Sequence, residues 1–431
     1  MRKFRNLLYG FGILIILVNV SIVSGKMQAS EANPLPTKWE MFYHGPLDDV
    51  IYAIQETSDK GFVLAGTTNS YGNGDDDAWL LKTDKDGNAL WNFTYGGSEE
   101  ESFSSVFETS DHSFLLAGTT NSFGNGDNDF WVVKVDNNGN LQFNKTFGTS
   151  GNDQLAQMIK TSDGNYVLSG RYHNASKQFT ADAWLIKINE DGDLLWNHTY
   201  GGIRYDVPQS VTELSTGGYA FATWTGNTAT DPNQGDFMVI KVDENGIQQW
   251  NSTYGIVGGT DIPSKIIETS NGGVIVTGFS RYASSQKEQI VVVKFNSDGS
   301  QSWNKSFGGS KSDWGNLILK LKDGYLLCAH TVSYGPGNGD NILIKIDENG
   351  NQIFNQTNGQ SQGDDFFWDM KPTSDGNFIF AGRSILSDGF RDGWLVKMES
   401  PTKASSPGFE FIPVLVCALL LIIVKKKNKK N

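Results

Sequence analysis

The 431 residues, 38% hydrophobic with 49 Gly, 26 Phe and 12 Trp, describe a globular chain rich in aromatics and turns, which excludes a disordered protein. The net charge of −13 sharpens once the ends are set aside: residues 1–30 and 425–431 hold 9 of the 35 Lys and Arg and none of the 48 Asp and Glu, which leaves −22 between them. That surface excludes a nucleic-acid partner, whose phosphates demand a basic face, and the two cysteines, Cys328 and Cys417, the second in an apolar tail, exclude an internal disulfide framework.

At the N-terminus Arg2, Lys3 and Arg5 precede an apolar run from Leu7 to Val23, followed by the small Ser24 and Gly25. This reads as a secretory signal peptide over 1–25, with an uncleaved anchor as the alternative. Residues 26–37 form a linker. From 38 to 400 one aromatic phrase keeps returning: "WNFTYGG" at Trp91, "FNKTFGT" at Phe143, "WNHTYGG" at Trp196, "WNSTYGI" at Trp250, "WNKSFGG" at Trp303 and "FNQTNGQ" at Phe354. With Trp39 as the first start, seven units follow at spacings of 52, 52, 53, 54, 53 and 51 residues.

Each unit holds four short runs of β-branched and aromatic residues separated by turn residues, and no segment between the termini carries a helical period. "DKDGN", "DNNGN" and "DENGN" place Asp first and Gly where a tight hairpin needs positive φ, joining the third and fourth strands; "TSDGN" and "SNGGV" join the first and second. A four-stranded meander cannot bury both faces alone, so seven units in a ring predict an all-β fold, a seven-bladed β-propeller. The last unit stops at Ser400 without its fourth strand, while the first is preceded by a spare one, "KWEMFYHG" (Lys38 to Gly45). Pairing the two closes the ring without an open edge. The phrase is then the outer strand of each blade, its aromatics packing between blades.

After a short linker, 401–408, the run "FEFIPVLVCALLLIIV" (409–424) spans about 24 Å as a helix, short for a bilayer core but workable with the lysines of the basic tail, 425–431. Positive charge at both outer ends keeps them cytoplasmic and places the middle outside. The expectation is a propeller on the extracellular face of the cell membrane, anchored at its C-terminus.

The repeat resembles those of archaeal and bacterial cell-surface β-propeller proteins, in which a Trp-Asn-x-Thr-Tyr-Gly-Gly strand alternates with Asp-Gly-Gly-Tyr and Asp-x-Trp-Leu-x-Lys strands. The resemblance covers 39–400 and implies the fold, with no agreed activity. The tail "SSPGFEFIPVLV" resembles the Pro-Gly-Phe sorting signal of archaeal surface proteins, here Pro407, Gly408 and Phe409. That resemblance implies recognition by a membrane archaeosortase, cleavage and lipid attachment; plain anchoring by a transmembrane helix stays open beside it.

Aligning the units brings a carboxylate just before each first strand: Asp49, Glu101, Asp153, Asp206, Asp261, Asp313 and Asp365. Near one mouth of the channel they could hold a cation such as Ca²⁺, which prefers oxygen ligands, or serve as turn carboxylates satisfied by backbone N–H groups. The loops Asn69 to Asp77 and Asn121 to Asp129 are also rich in oxygen but lack the full Asp-x-Asp-x-Asp-Gly spacing with a distal Glu.

Where the units differ, recognition is the expectation. The position after "LAG" or its equivalent reads Thr67, Thr119, Arg171, Trp224, Phe279, His330 and Arg383, with Tyr172, His173 and Arg204 nearby. Aromatics with Arg suit stacking on sugars or clamping of carboxylates, so Arg171, Tyr172, His173, Arg204, Trp224, Phe279, His330 and Arg383 are the candidate ligand-binding set. Asn92, Asn144, Asn174, Asn197, Asn251, Asn304 and Asn355 open Asn-x-Ser/Thr sequences, acceptors for glycosylation outside the cell or simply repeated strand residues.

An enzyme is the alternative. Hairpins such as "DNNGNLQF" resemble the Trp-bearing hairpin of quinoprotein dehydrogenases, propellers that hold a quinone and Ca²⁺, but the vicinal Cys pair is missing. A glycan-active hydrolase or lyase would need a pair of placed carboxylates, and nothing singles one out. The five histidines show no metal-ligand spacing and no nucleophile motif beside them. The residues favour a monomeric surface module that binds a glycan, peptide or protein.

Overall fold

A computed structural model describes residues 35–173, 181–202, 205–228, 231–282, 287–360, 363–386 and 389–400. The signal segment, the anchor run, Asn174 and Arg204 lie outside the described residues. Among those described, no helix is long and apolar enough to cross a membrane.

The first blade shows how the repeat folds. After β1 (Thr37–Tyr43) come β2 (Asp49–Glu56), β3 (Phe62–Thr68), β4 (Asp77–Thr83) and β5 (Ala89–Tyr95), and β2 to β5 pair in that order as an antiparallel sheet. The same order recurs in blade 2 (101–147), blade 3 (154–200), blade 4 (206–254), blade 5 (260–307) and blade 6 (313–358). Blade 7 has only Phe366–Pro372, Phe378–Ile385 and Arg391–Met398 of its own. Its fourth strand is β1, which runs antiparallel to Arg391–Met398 with Trp39 opposite Lys397 and Phe42 opposite Trp394. The fold is a seven-bladed propeller closed by its N-terminal strand, as the spare strand predicts.

Burial follows strand order. The second and third strands are almost wholly buried, whereas the fourth alternates between half-buried and exposed, as an outer edge should. The apolar residues form seven clusters, each built from two neighbouring blades. The core is therefore a ring of junctions, and each outer-strand aromatic packs on one of them: Trp39, Trp91, Phe143, Trp196, Trp250, Trp303 and Phe354.

Polar contacts fasten the same junctions. The Trp196, Trp250 and Trp303 indoles donate to the carbonyls of Glu244, Ser297 and Glu348 in the next blade's outer hairpin, at 3.2, 3.2 and 3.3 Å. The hydroxyls of Tyr43, Tyr95 and Tyr200 donate to the Gly87, Gly139 and Gly246 carbonyls of those hairpins, at 2.6, 2.7 and 2.6 Å. At the far end of the first strand in blades 1, 2, 4 and 5 a glutamate takes the hairpin serine of the preceding blade: Glu56 with Ser374 across the closure, Glu108 with Ser58, Glu213 with Ser162 and Glu268 with Ser215. Within a blade, the buried lysine of the third strand neutralises the first hairpin's aspartate, as in Lys82 with Asp59, Lys187 with Asp163 and Lys397 with Asp375. Strands, hairpins and junctions thus share one repeated set of side chains.

Every first strand carries a β-bulge at the same place; in β2 the register shifts between Ile51 and Ala53. The bulge presses the first strand onto the second. A Cβ on Gly66, Gly118 or Gly382 would stand 1.8, 1.8 or 1.9 Å from a first-strand carbonyl oxygen, which accounts for the glycine of the "LAG" motif. Blades 4 and 6 carry Thr223 and Ala329 at this position, opposite Pro208 and Gly315. Gly118→Ala is therefore expected to lower unfolding stability by on the order of 2–3 kcal/mol. Urea denaturation measures this, and a midpoint equal to wild type would mean that the bulge yields to the methyl.

Candidate functional site

The bulges also build the candidate site. The first strands stand side by side around the axis, and the bulged residue of each lines a channel of about 900 Å³: Tyr52, Ser104, Ala156, Gln209, Ser264, Asn316 and Trp368. The ring is one-sided. Tyr52 meets the edge of Trp368 at 5.5 Å, Trp368 packs on Phe366 at 4.2 Å, Phe366 on His330 at 5.4 Å, and His330 on Trp314 at 5.0 Å. A file of aromatics thus runs across blades 1, 7 and 6, opposite the small and polar residues of blades 2 to 5. Trp368 remains 41% exposed, open to a partner.

Deeper in the channel stand Lys265, Lys371 and Asp369. Lys371 pairs with Asp369 at 3.2 Å, and Asp369 also accepts the Ile54 N–H at 3.1 Å. Enclosure by the channel walls, helped by the Lys371 charge and opposed by Asp369, pushes the Lys265 ammonium down to about 8.

At the mouth the seven variable positions occupy one register. Thr67, Thr119, Arg171, Trp224, Phe279, His330 and Arg383 each face the residue that follows the blade's first-strand carboxylate: Val50, Ser102, Gln154, Val207, Ile262, Trp314 and Phe366. The structure brings two of them together on a residue that sequence reasoning missed. His330 Nε2 lies 2.8 Å from Asp364 Oδ1, and Arg383 Nη2 lies 3.2 Å from Asp364 Oδ2. The His330 hydrogen bond, and then the charges of His330, Arg383 and Arg391, hold the Asp364 carboxyl below the usual range against the cost of burial. Asp364 could have been found by comparing the residue just before each first-strand carboxylate, which reads Asp48, Glu100, Asn152, Tyr205, Thr260, Ser312 and Asp364.

The other predicted ligand residues find partners nearer home. Arg171 donates to Asn152 at 2.6 Å, Tyr172 meets the edge of Trp184 at 5.4 Å, and the His173 N–H donates to Asp153 at 2.6 Å, all inside blade 3. Phe279 forms part of the channel wall. The Trp224 indole is half-buried, its N–H without an acceptor among the described residues. Beside Arg383 along the rim, on the neighbouring blades, a recess of about 300 Å³ is lined by Tyr52, Asp76 and Glu100. Burial first, then Glu100, Asp48 and Asp75, raise the Asp76 carboxyl. The mouth is therefore polarised, with the Arg383 and Arg391 guanidiniums on blade 7 and the Asp76 and Glu100 carboxylates on blades 1 and 2.

The seven first-strand carboxylates stand at the same end of the molecule, buried between blades and held by hydrogen bonds. Asp49 accepts from Gly45 N at 2.7 Å and Ser70 Oγ at 2.9 Å, and also from Thr68. Glu101 accepts from Gly97 N at 2.7 Å and Thr120 Oγ1 at 2.9 Å, and Asp153 from Thr149 N at 2.7 Å. Asp313 takes Gly309 N at 2.8 Å and Thr331 Oγ1 at 2.5 Å. Asp206 takes Gly202 N, Asp261 takes Ile256 N and Ser280 Oγ, and Asp365 takes Gln360 N. Among the described residues, no group of three or more His, Cys, Asp or Glu side chains is placed to hold a metal ion.

A second carboxylate set opens the third strands: Asp77, Asp129, Asp182, Asp236, Asp340 and Asp392, with Gln289 in blade 5. The two sets meet around the outer-strand glycine that follows the aromatic phrase. A Cβ on Gly96 would lie 2.4 Å from Glu101 Oε2 and 3.0 Å from Asp77 Oδ1, and one on Gly201 would lie 2.5 Å from Asp206 Oδ2 and 2.9 Å from Asp182 Oδ1. Only glycine leaves room for both.

Of the predicted acceptor asparagines, Asn92, Asn144, Asn197 and Asn251 are exposed on outer strands, while Asn304 and Asn355 are half-buried.

No protein-family model matches the chain. A stretch of 151 residues, 30% of the chain, is 24% identical to the regulatory protein FlaEY of Caulobacter vibrioides and covers 16% of that protein, so the chain spans about a sixth of the relative it matches. Among solved structures, the β-propeller domain of the Trilobed protease from Pyrococcus furiosus superposes with a TM-score of 0.45 at 7% identity, covering 84% of this chain and 99% of that one. Lignostilbene dioxygenase of Pseudomonas brassicacearum gives a TM-score of 0.48 at 12% identity, over 88% of this chain and 97% of that one. A glucose dehydrogenase gives 0.42 at 10% identity, over 84% and 99%. These likenesses concern the fold and say nothing about activity.

Asp261 gives the set of first-strand carboxylates a measurable signature. Burial, reinforced by Asp236 and opposed by Ser280 and the Ile256 N–H, raises its carboxyl from 3.8 to about 6. Between those values the folded chain binds the extra proton, so this group's contribution to stability falls as pH rises, and its full cost is present above about pH 6. Asp261→Asn should therefore gain on wild type from about pH 4 to pH 7, by on the order of 2 kcal/mol. Parallel stability profiles in urea would show that Asp261 ionises normally.

Proposed function

We propose that this chain is a binding module displayed at the cell surface, and that its ligand is a glycan carrying carboxylate groups. The reading rests on one observation, the file Tyr52, Trp368, Phe366, His330 and Trp314 that ends on the ion cluster of His330, Asp364 and Arg383. Aromatic faces stack on sugar rings, and a guanidinium beside them selects an acidic substituent. Lys265 and Lys371 continue the positive character into the channel. Display outside the cell is supported by the apolar runs at 7–23 and 409–424 with their basic flanks, and a propeller offers such a module a rigid disc.

A second reading, catalysis, is favoured by Lys265. An amine pushed to about 8 is partly neutral at physiological pH and so available as a nucleophile. Lys265 would then be trapped by borohydride with a carbonyl compound.

A glycan array probed with the full chain in detergent tests the binding reading. Uronic-acid glycans should be retained, and Trp368→Ala or Arg383→Ala should each weaken binding at least about tenfold. Binding that both variants leave intact, or retention of peptides alone, would defeat it.

A further inference from the structure

Two blade junctions combine a backbone bridge with an unsatisfied carboxylate. Asn128 bridges Asn152, and Gly339 bridges Asp364, each in a parallel contact that ties the start of a third strand to the approach of the next blade's first strand. At the same two junctions a carboxylate oxygen is buried with no hydrogen-bond partner among the described residues: Asp129 Oδ1 between blades 2 and 3, and Asp340 Oδ1 between blades 6 and 7. Asp129 is 2% exposed and Asp340 0%. The other oxygen of each is already engaged, by Asn125 N at 2.5 Å and by Gly337 N at 3.0 Å, so rotating the carboxyl group only moves the deficit.

At the second junction the neighbours of the orphan oxygen are themselves oxygens, and the first junction places the equivalent residues in the equivalent positions. Around Asp340, the point where a Gly359 Cβ would sit is 2.0 Å from Asp340 Oδ1 and 2.8 Å from Asp365 Oδ2. The corresponding point on Gly337 is 2.8 Å from the carbonyl oxygens of both Gln360 and Gly363, and 3.3 Å from Asp340 Oδ1. Around Asp129, a Gly148 Cβ would sit 1.5 Å from Asp129 Oδ1, and a Gly126 Cβ 2.8 Å from Gly151 O and 2.9 Å from Thr149 O. Two buried carboxylates facing carbonyls repel one another, a cost that N–H donors and, at the second junction, the neighbouring His330 offset only in part. Blade 5 avoids the problem by placing Gln289 where the second carboxylate would be.

We propose that each of these two junctions binds one Ca²⁺ ion, held at the first by Asp129, Asp153 and the Thr149 and Gly151 carbonyls, and at the second by Asp340, Asp365 and the Gln360 and Gly363 carbonyls. Carbonyl oxygens make up half of each set, which suits a hard cation with a flexible coordination shell and disfavours zinc. Water completes the shell, as it commonly does for Ca²⁺. The ion staples neighbouring blades together, and at the second junction it fixes the backbone next to Asp364. The proposal stands independently of what the channel mouth binds.

Calorimetric titration of the full chain, in detergent and stripped with EDTA, tests it with CaCl₂ up to about 1 mM, where extracellular modules hold Ca²⁺. Two equivalents should bind. Asp129→Asn should remove one, Asp340→Asn the other, and the double variant both, together with the Ca²⁺-dependent rise in melting midpoint. Tb³⁺ luminescence of the wild type, quenched by competing Ca²⁺, keeps the test open if a variant fails to fold. Absence of binding heat and of Tb³⁺ luminescence in the wild type overturns the proposal, as does unchanged stoichiometry in a folded double variant. A midpoint that responds to pH and not to Ca²⁺ overturns it as well, in favour of a proton shared between the paired carboxylates.

Discussion

A four-stranded antiparallel sheet presents two apolar faces, and in this chain each face is covered only by the neighbouring blade. Burial of nonpolar area is the dominant favourable contribution to folding, so no blade is stable without both of its neighbours. That constraint explains why so many of the repeated side chains are junction residues: the outer-strand Trp and Tyr that grasp the next hairpin, and the glutamates of four blades that reach back to the hairpin before. It also explains the closure. Without β1 on Arg391–Met398, blade 7 would offer an unpaired edge and the junction of blades 7 and 1 would lose Tyr43, Trp39 and Met41.

The two ends of the ring are built differently. At one, charges pair inside the hairpins, with third-strand lysines on first-hairpin aspartates. At the other, two sets of carboxylates are packed between blades and satisfied chiefly by N–H and hydroxyl donors. The second arrangement is the more strained electrostatically, since carboxylates face carboxylates in a desolvated setting. This is also the end where blades 6 and 7 break the repeat with His330, Arg383, Phe366 and Trp368. Binding groups and stored electrostatic cost therefore share one face.

Much of the fold was legible in the sequence because short-range signals carry it. The period of the aromatic phrase counted the blades, the Asp-Gly turns located the hairpins, and the missing fourth strand of the last unit matched the spare first one. The register of the Thr67 to Arg383 set was legible too, because hairpin pairing is fixed by turn length. The site was less so. Asp364 sits 34 residues from its partner His330 and gains its meaning only when the junction of blades 6 and 7 forms. Tyr52 and Trp368 lie in a run of apolar residues that gives no sign of a bulge, yet the bulge is what turns them into the channel. The second carboxylate set was visible as part of the Asp-x-Trp-Leu-x-Lys strands, but its meeting with the first set across a glycine was not.

The number of blades, the order of strands in each and the means of closure follow from local pattern and from a repeat that states the same instruction seven times. Tertiary structure alone decided which residues face the axis, which carboxylates confront each other and which variable positions converge. Those outcomes depend on distances between blades, and the distances are set by bulges, glycines and packed aromatics acting together rather than by any one stretch of chain.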